Sequence, residues 1–188
     1  HLGHQSAHVV GQSMGGMIAQ HVALRAPDRV RTLALLATHA GGPGARQPPL
    51  AAIPWLLLNG APSRKLRVLG MSRLLFPPHA RAHGGLEAVR ADLERDYGEA
   101  QPRATVYKQL RAMRGHDTRD RLAELSGRPV LILRPGLDIL IAPHHSDQLH
   151  LGIAGSQLVQ VPQAGHGAIR QCAAQVNAAL RGLFARVP

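Results

Sequence analysis

Residues 7–38 read AHVVGQSMGGMIAQHVALRAPDRVRTLALLAT, and the apolar pattern changes twice within them. The β-branched run 7–12 predicts a short buried strand, the stretch 15–26 predicts a helix, and the apolar run 32–38 predicts a second buried strand. Strand, helix and strand in this order form a βαβ unit, whose strands pair in parallel through a right-handed crossover. The apolar side of the helix is expected to carry Met17, Ile18, Val22 and Ala23.

The sequence changes character at the glycine-rich stretch 41–44. From there to about residue 126 no strand-like run occurs, and Pro and Gly separate a series of helix-like pieces. These pieces are 50–58, 64–75, 86–97, 104–113 and 119–125. We therefore expect residues 41–126 to form an all-helical insertion, which would act as a lid or cap.

Strand signals return in the last third of the chain, with PVLIL at 129–133 and QLVQV at 157–161. The stretches 143–151 and 168–185 have the spacing of helices. The predicted fold class is therefore α/β. Its parallel sheet belongs to a core made of residues 1–40 and 127–188, and the helical lid interrupts that core.

A short motif lies at the junction of the first predicted strand and helix. Residues 11–15, GQSMG, match the pattern G-x-S-x-G. A bare match arises by chance in a chain of this composition, so the flanking elements carry the argument. A nucleophilic serine on a tight strand-to-helix turn needs room around a strained backbone, which Gly11 and Gly15 would leave. The Ser13 hydroxyl would then lie at a helix N-terminus, where free backbone N–H groups favour developing negative charge.

A serine hydroxyl needs a base, and the base needs a third group to orient it. Asp138 and His166 each follow one of the two later predicted strands. Active groups in open α/β sheets gather beyond the carboxyl ends of the strands. We therefore expect Ser13, Asp138 and His166 to meet at one edge of the sheet.

Three stretches of the chain resemble the α/β-hydrolase superfamily: 8–38, HVVGQSMGGMIAQHVALRAPDRVRTLALLAT; 116–143, HDTRDRLAELSGRPVLILRPGLDILIAP; and 156–171, SQLVQVPQAGHGAIRQ. The chain order Ser, Asp, His is that of the nucleophile-elbow hydrolases. Within the superfamily the sequence is most similar to lidded carboxylesterases and enol-lactonases. The resemblance implies that Ser13 is the nucleophile and that His166 is the general base and then the acid. By the same resemblance Asp138 orients His166, and the Met14 backbone N–H forms half of the oxyanion hole.

The sequence departs from this family at two points. Relatives usually carry His-Gly where this chain has Arg134-Pro135, just before the acid loop. The family sheet has eight strands, and the fifth is the strand before the nucleophile turn, which corresponds to residues 11–15 here and is called the elbow. We therefore expect the chain, which begins with His1, to have been cut from a longer one, with roughly 70–100 residues preceding it. That part would include the loop with the second oxyanion N–H.

The function that this resemblance implies is hydrolysis of a carboxylic ester, lactone or thioester of small to medium size, through an acyl-enzyme on Ser13 and without a cofactor. Dehalogenases and epoxide hydrolases of the same superfamily carry Asp at the elbow, so Ser13 argues against both. One alternative is that the chain by itself is a truncated, non-catalytic fragment, because an open edge on the strand at 7–12 favours aggregation. A cofactor-free acyltransferase or perhydrolase is the other alternative.

Several side chains have competing interpretations. Asp147 is a rival acid, but it lies inside the predicted helix 143–151. Two sets of histidines resemble metal ligands, yet neither has carboxylate or cysteine partners at a familiar spacing, so we expect surface histidines and no metal. The sets are His1, His4 and His8, and His144, His145 and His150. The apolar residues of the lid, Trp55, Leu56, Leu57, Leu58, Leu74, Leu75 and Phe76, are expected to form its own core or an acyl pocket.

Composition limits the remaining classes of protein. The formal net charge is +11, but the arginines are scattered and only five residues are Phe, Trp or Tyr, which argues against a nucleic-acid binder. The single cysteine, Cys172, excludes a disulfide framework, and we expect it to be a packing residue of a helix. No apolar run reaches the length of a membrane span. We expect a cytoplasmic protein with a small ester-like partner, no membrane or nucleic-acid partner, and an oligomeric state that the sequence leaves open.

Overall fold

The computed structural model describes residues 3–45, 47–82 and 85–187, with the backbone alone for 85–88. Four strands form its sheet: β1 (Ala7–Gln12), β2 (Val30–Leu36), β3 (Val130–Pro135) and β4 (Gln157–Val161). They pair in parallel in the order β1-β2-β3-β4. The predicted α/β class with a parallel sheet is therefore confirmed. Strand β2 ends at Leu36, two residues earlier than predicted, because Ala37 has a left-handed backbone with φ 46°.

Helix α1 (Met14–Arg25) follows β1 directly. It buries Gly16, Met17, Ala19, Gln20 and Ala23 against the sheet, which are mostly small residues at helical spacing. The prediction that Ile18 and Val22 share this buried face is wrong, since they are 55% and 40% exposed. Glycine allows α1 to lie close to Thr38, just beyond β2, since a Cβ on Gly16 would lie 2.6 Å from the Thr38 side chain.

Between β2 and β3 the described residues form helices and one isolated bridge, from Gly41 to Asp117. We call residues 41–126 the insertion. Its α-helices are α2 (Ile53–Asn59), α3 (Arg64–Leu75), α4 (Pro78–Ala82), α5 (Gly85–Tyr97) and α6 (Arg103–Arg114). The last predicted helix of this region, Arg119–Leu125, is a 3-10 helix rather than an α-helix.

The last third of the chain adds α7 (His144–Gly152), α8 (Ala168–Gln171) and α9 (Ala173–Phe184). The sequence predicted one continuous helix over 168–185, and this is wrong in detail. Cys172 interrupts it with φ −127° and ψ 40°, which is outside the helical region. The short helix α8 is therefore separate from α9, and α9 packs on the sheet through Val176 and Leu183.

The core has two layers because the central strands are buried on both faces, as parallel strands usually are. One cluster includes Leu33 and Leu35 of β2 and packs under α1 and α7. The other includes Ala34 and Leu36, and packs against α9. A third cluster, around Leu75, Phe76 and Leu93, lies within the insertion. Over the residues that the structure describes, no helix has the length and apolar content needed to cross a membrane.

Candidate active site

The three residues predicted to meet all follow the carboxyl ends of parallel strands. Ser13 comes directly after β1, Asp138 follows β3, and His166 follows β4. Asp138 and His166 are in direct contact. The residue before Ser13, Gln12, donates from its side chain to the backbone carbonyl of His166. The topology thus brings residues from three distant parts of the chain to one edge of the sheet.

Ser13 has a strained backbone, with φ 53° and ψ −122°. A non-glycine residue in this region costs about 1–3 kcal/mol and persists only when its surroundings hold it. Two hydrogen bonds do so: the Ser13 N–H donates to the Leu36 carbonyl at 2.9 Å, and the Thr38 hydroxyl donates to the Ser13 carbonyl at 2.7 Å. The end of β2 therefore clamps the turn from both sides.

Close backbone packing around this turn requires glycine at two positions. A Cβ on Gly11 would lie 2.2 Å from the Gly15 carbonyl oxygen, and a Cβ on Gly16 would lie 2.6 Å from the Thr38 side chain. A Cβ on Gly15 would meet nothing within 4 Å. The steric requirement of the elbow thus falls on Gly11 and on Gly16, which the sequence analysis did not single out. Met14, as the first residue of α1, has a backbone N–H without an intrahelical acceptor.

Asp138 is a buried carboxylate whose oxygens are all engaged. Its Oδ1 accepts the backbone N–H groups of Leu140 at 2.8 Å and Ile141 at 2.9 Å, and its Oδ2 accepts Nδ1–H of His166 at 2.7 Å. Donation from Nδ1 leaves Nε2 as the basic nitrogen of a neutral His166. The side chains of both residues are almost inaccessible to solvent, at 0% for Asp138 and 6% for His166. Asp138 can therefore fix the tautomer and direction of the imidazole, as an orienting acid does.

The rival acid, Asp147, has a different partner. It forms an ion pair with Arg134 at 2.9 Å on the outside of α7. Arg134 and Pro135 are the last residues of β3, where Pro135 is in register with Val161. The Arg-Pro pair therefore forms the end of β3, and its arginine pairs with Asp147. The loop after β3 still brings Asp138 into contact with His166.

The loop that carries His166 is held from several directions. The Gln12 amide donates to the His166 carbonyl at 2.7 Å, and the Gly167 N–H donates to the Leu75 carbonyl, at the end of α3, at 2.8 Å. Arg170, on α8, forms ion pairs with Asp92 and Asp96 of α5. The insertion is thus fastened to the histidine loop. Of these contacts, the sequence offered a signal for Gln12 alone, which lies inside the G-x-S-x-G motif.

Five histidines form a row of ring contacts, with centroids 4.1–5.6 Å apart: His21, His116, His39, His145 and His144. Burial lowers the pKa of His39 to about 4, with additional effects of two neighbouring histidines, and also lowers the pKa values of His116 and His145. These three are buried, so the prediction of a surface position is wrong for His145. The predicted histidine His1 lies outside the described residues. Among the described residues, no group of three or more His, Cys, Asp or Glu side chains is arranged to hold a metal ion.

Hydrogen bonds indicate which ring nitrogens accept in two histidines of the row, His116 and His39. Nε2–H of His116 donates to the His39 carbonyl at 3.0 Å, which leaves its Nδ1 to accept Nε2–H of His21 at 3.1 Å. Nδ1 of His39 accepts the Gly41 N–H at 2.9 Å. Each assignment uses the neutral form of the acceptor ring, which agrees with the lowered pKa values.

The insertion has a groove of about 830 Å³ between α2, α3, α5 and α6. Leu56, Leu57, Met71, Val106 and Leu110 are among its apolar lining residues. Leu74, Leu75 and Phe76 are instead buried. Of the apolar residues for which the sequence left two interpretations, Leu75 and Phe76 thus belong to the insertion's own core, and Leu56 and Leu57 line the groove.

Comparisons with known proteins agree with this architecture. A profile of the alpha/beta hydrolase fold family matches residues 1–169. A pimeloyl-(acyl-carrier protein) methyl ester esterase of Neisseria meningitidis is 30% identical over 166 residues, which cover 85% of this chain and 62% of that protein.

Two solved structures are similar to the chain. A hydrolase of Pseudomonas aeruginosa has a TM-score of 0.77 and 28% identity, over 97% of this chain and 66% of its own. The enol-lactonase of Burkholderia xenovorans has a TM-score of 0.78 at 19% identity, over 98% and 67%, and it shows the shared fold alone. The chain therefore spans less than two thirds of the length of the esterase that it matches.

Proposed function

The chain belongs to the alpha/beta hydrolase fold family, and from this premise we propose that it carries the catalytic residues of a cofactor-free serine hydrolase. The observation that carries the proposal is the buried Asp138–His166 pair, with its 2.7 Å hydrogen bond, at the same sheet edge as the strained Ser13. The proposed reaction is cleavage of a carboxylic ester, lactone or thioester of small to medium size.

In the proposed mechanism Ser13 Oγ attacks the substrate carbonyl carbon while His166 Nε2 takes the hydroxyl proton. The Met14 N–H donates to the oxyanion of the tetrahedral intermediate. His166 returns the proton to the leaving alkoxide or thiolate, and an acyl-Ser13 ester remains. Water then attacks this ester, His166 takes its proton and passes it back to Ser13, and the carboxylic acid leaves. Asp138 holds the imidazole in the required tautomer throughout.

The choice of esters as the substrate class is supported by the similar proteins. The Neisseria relative is named for hydrolysis of a methyl ester of an acyl chain on a carrier protein. We propose that this chain likewise acts on an ester-like substrate, and that the insertion is a lid over the acyl group. The contact between the Leu75 carbonyl and the Gly167 N–H supports that position for the lid. A cytoplasmic location belongs to the same proposal.

We further propose that residues 1–188 by themselves are inactive. Among the described residues β1 pairs with β2 alone, so its other edge offers unpaired backbone groups. Val10, Ile18 and Val22 are exposed on β1 and α1. The chain also spans only 62% of the esterase that it matches. A monodisperse preparation of residues 1–188 with esterase activity would contradict this part of the proposal.

The experiment uses the natural protein, meaning the polypeptide in which residues 1–188 occur. We expect it to hydrolyse short p-nitrophenyl esters and to form a fluorophosphonate adduct that mass spectrometry locates on Ser13. Ser13→Ala should remove both signals, because loss of a triad member costs several orders of magnitude in kcat. Ser63→Ala is the matched control, since Ser63 is exposed and its hydroxyl caps nothing. Wild-type activity in Ser13→Ala would refute the assignment.

A further inference from the structure

Gln12 is the residue between Gly11 and Ser13, and its side chain crosses the sheet edge to the loop after β4. Its Nε2 donates to the His166 backbone carbonyl at 2.7 Å, between residues 154 positions apart in sequence. This bond joins the immediate neighbour of the proposed nucleophile to the proposed base itself.

The backbone on the donor side of this bond is paired within the sheet. Gln12 is the last residue of β1 and is in parallel register with Leu36 of β2. The following residue, Ser13, continues this pairing by donating its N–H to the Leu36 carbonyl at 2.9 Å. The side chain of Gln12 therefore starts from a backbone position that shares its hydrogen bonds with the turn that holds Ser13.

Asp138 and Gln12 constrain different parts of His166. Asp138 binds Nδ1 and so fixes the rotation and tautomer of the ring. That bond does not fix the distance between the histidine backbone and the elbow, because Asp138 belongs to another loop, after β3. The Gln12 bond to the carbonyl connects the His166 backbone directly to β1.

We propose that Gln12 is a positioning residue for His166, which sets the distance of the imidazole from Ser13. This inference rests on the proposed function above. It requires an N–H donor at position 12, because the partner is a carbonyl oxygen and can only accept. A displacement of about 1 Å between reacting groups can reduce a rate about 100-fold.

The test compares three substitutions of Gln12 in the natural protein. Gln12→Met keeps the length of the side chain and removes the donor, and Gln12→Glu keeps the shape and puts a carboxylate against the carbonyl. Gln12→Lys restores an N–H donor on a flexible chain. Gln109→Met is the matched control, since Gln109 is exposed on α6.

We expect kcat on a short p-nitrophenyl ester to fall about 10- to 100-fold in Gln12→Met, further in Gln12→Glu, and to recover in part in Gln12→Lys. KM and the melting temperature should change little, and the low-field proton resonance of His166 Nδ1–H should persist in Gln12→Met, because the Asp138 bond remains. A purely structural role would lower the melting temperature of all three variants alike and would give no recovery with Lys.

Wild-type kcat in both Gln12→Met and Gln12→Glu would overturn the inference, as would equal losses in all three variants. Ser13→Ala separates this failure from failure of the proposed function. If Ser13→Ala is inactive and Gln12→Glu is fully active, the positioning role alone is wrong. If Ser13→Ala retains activity, the proposed function is wrong and the inference falls with it.

Discussion

Burial lowers the pKa values of three histidines of the row, His39, His116 and His145, so we predict that acid destabilises this fold, and His39 makes the contribution whose size the structure gives. Its pKa is lowered to about 4 from an ordinary value of 6.5, mainly by burial and then by the neighbouring His116 and His145. The folded state therefore favours the neutral ring, whereas the unfolded chain takes up a proton at higher pH. The contribution of His39 to the free energy of unfolding is therefore fully present above pH 6.5, and it is lost as the pH falls from 6.5 towards 4.

The size of the effect follows from these two pKa values. At pH 5 the unfolded chain is almost fully protonated at His39 and the folded protein is not, which costs about 2 kcal/mol of the free energy of unfolding relative to pH 8. Below pH 4 the loss approaches about 3 kcal/mol. His39 is 4% exposed, so solvent screening reduces these values little.

The substitution that isolates this contribution is His39→Asn. An Asn side-chain oxygen can still accept the Gly41 N–H two residues on, as His39 Nδ1 does at 2.9 Å, but it does not titrate. In the natural protein, urea unfolding followed by circular dichroism at pH 8, 6.5 and 5 measures the free energy of unfolding of both forms. We expect the variant to be less stable at pH 8 and to lose about 2 kcal/mol less than the wild type on acidification to pH 5.

His4→Asn is the matched control, because His4 is exposed and lies outside the row. Its stability should follow the wild-type dependence on pH. Parallel curves for wild type and His39→Asn would refute the reasoning, since they would show that His39 takes up its proton equally in both states.

The remaining predictions concern the elbow. Ser13→Gly should raise the free energy of unfolding by about 1 kcal/mol, because glycine adopts φ 53° without a Cβ penalty. The same substitution should abolish labelling by a fluorophosphonate. An unchanged or lower free energy of unfolding in urea would argue against strain at this residue. Gly11→Ala should lower the melting temperature by several degrees, since its Cβ would lie 2.2 Å from the Gly15 carbonyl oxygen, whereas Gly15→Ala meets open space and should change it little. Equal melting temperatures for the two alanine variants would contradict this packing.

Much of the fold could be predicted because its signals are local. The apolar runs at Val30–Leu36 and Val130–Pro135 bury both faces of a strand, and such runs depend only on neighbouring residues. Ala7–Gln12 is a strand as predicted, but the prediction that it is buried is wrong, since Gly11 is its one buried residue. The predictions failed where packing between elements decided the outcome. Ile18 and Val22 have the spacing of a buried face, yet α1 turns its small residues to the sheet. Cys172 continues a helical pattern, yet the chain turns there.

For the candidate site, the sequence by itself determined the residue types and their order: a serine in a tight turn after a strand, then an acid and a histidine after later strands. Turn chemistry and strand ends are readable from a few neighbouring residues, so no tertiary information is needed for them. The sequence favoured Asp138 over Asp147, which lies inside a predicted helix, and the tertiary structure adds that His166 contacts Asp138 and that Arg134 pairs with Asp147.

The bond from Gln12 to His166 and the histidine row were likewise revealed only by the tertiary structure. These contacts join residues many tens of positions apart, and no local pattern encodes the distance between their side chains. Burial, and with it the pKa of His39, exists only once α1, β2 and α7 are packed together. Sequence therefore determines which groups are available, and tertiary packing decides which of them meet and in what protonation state.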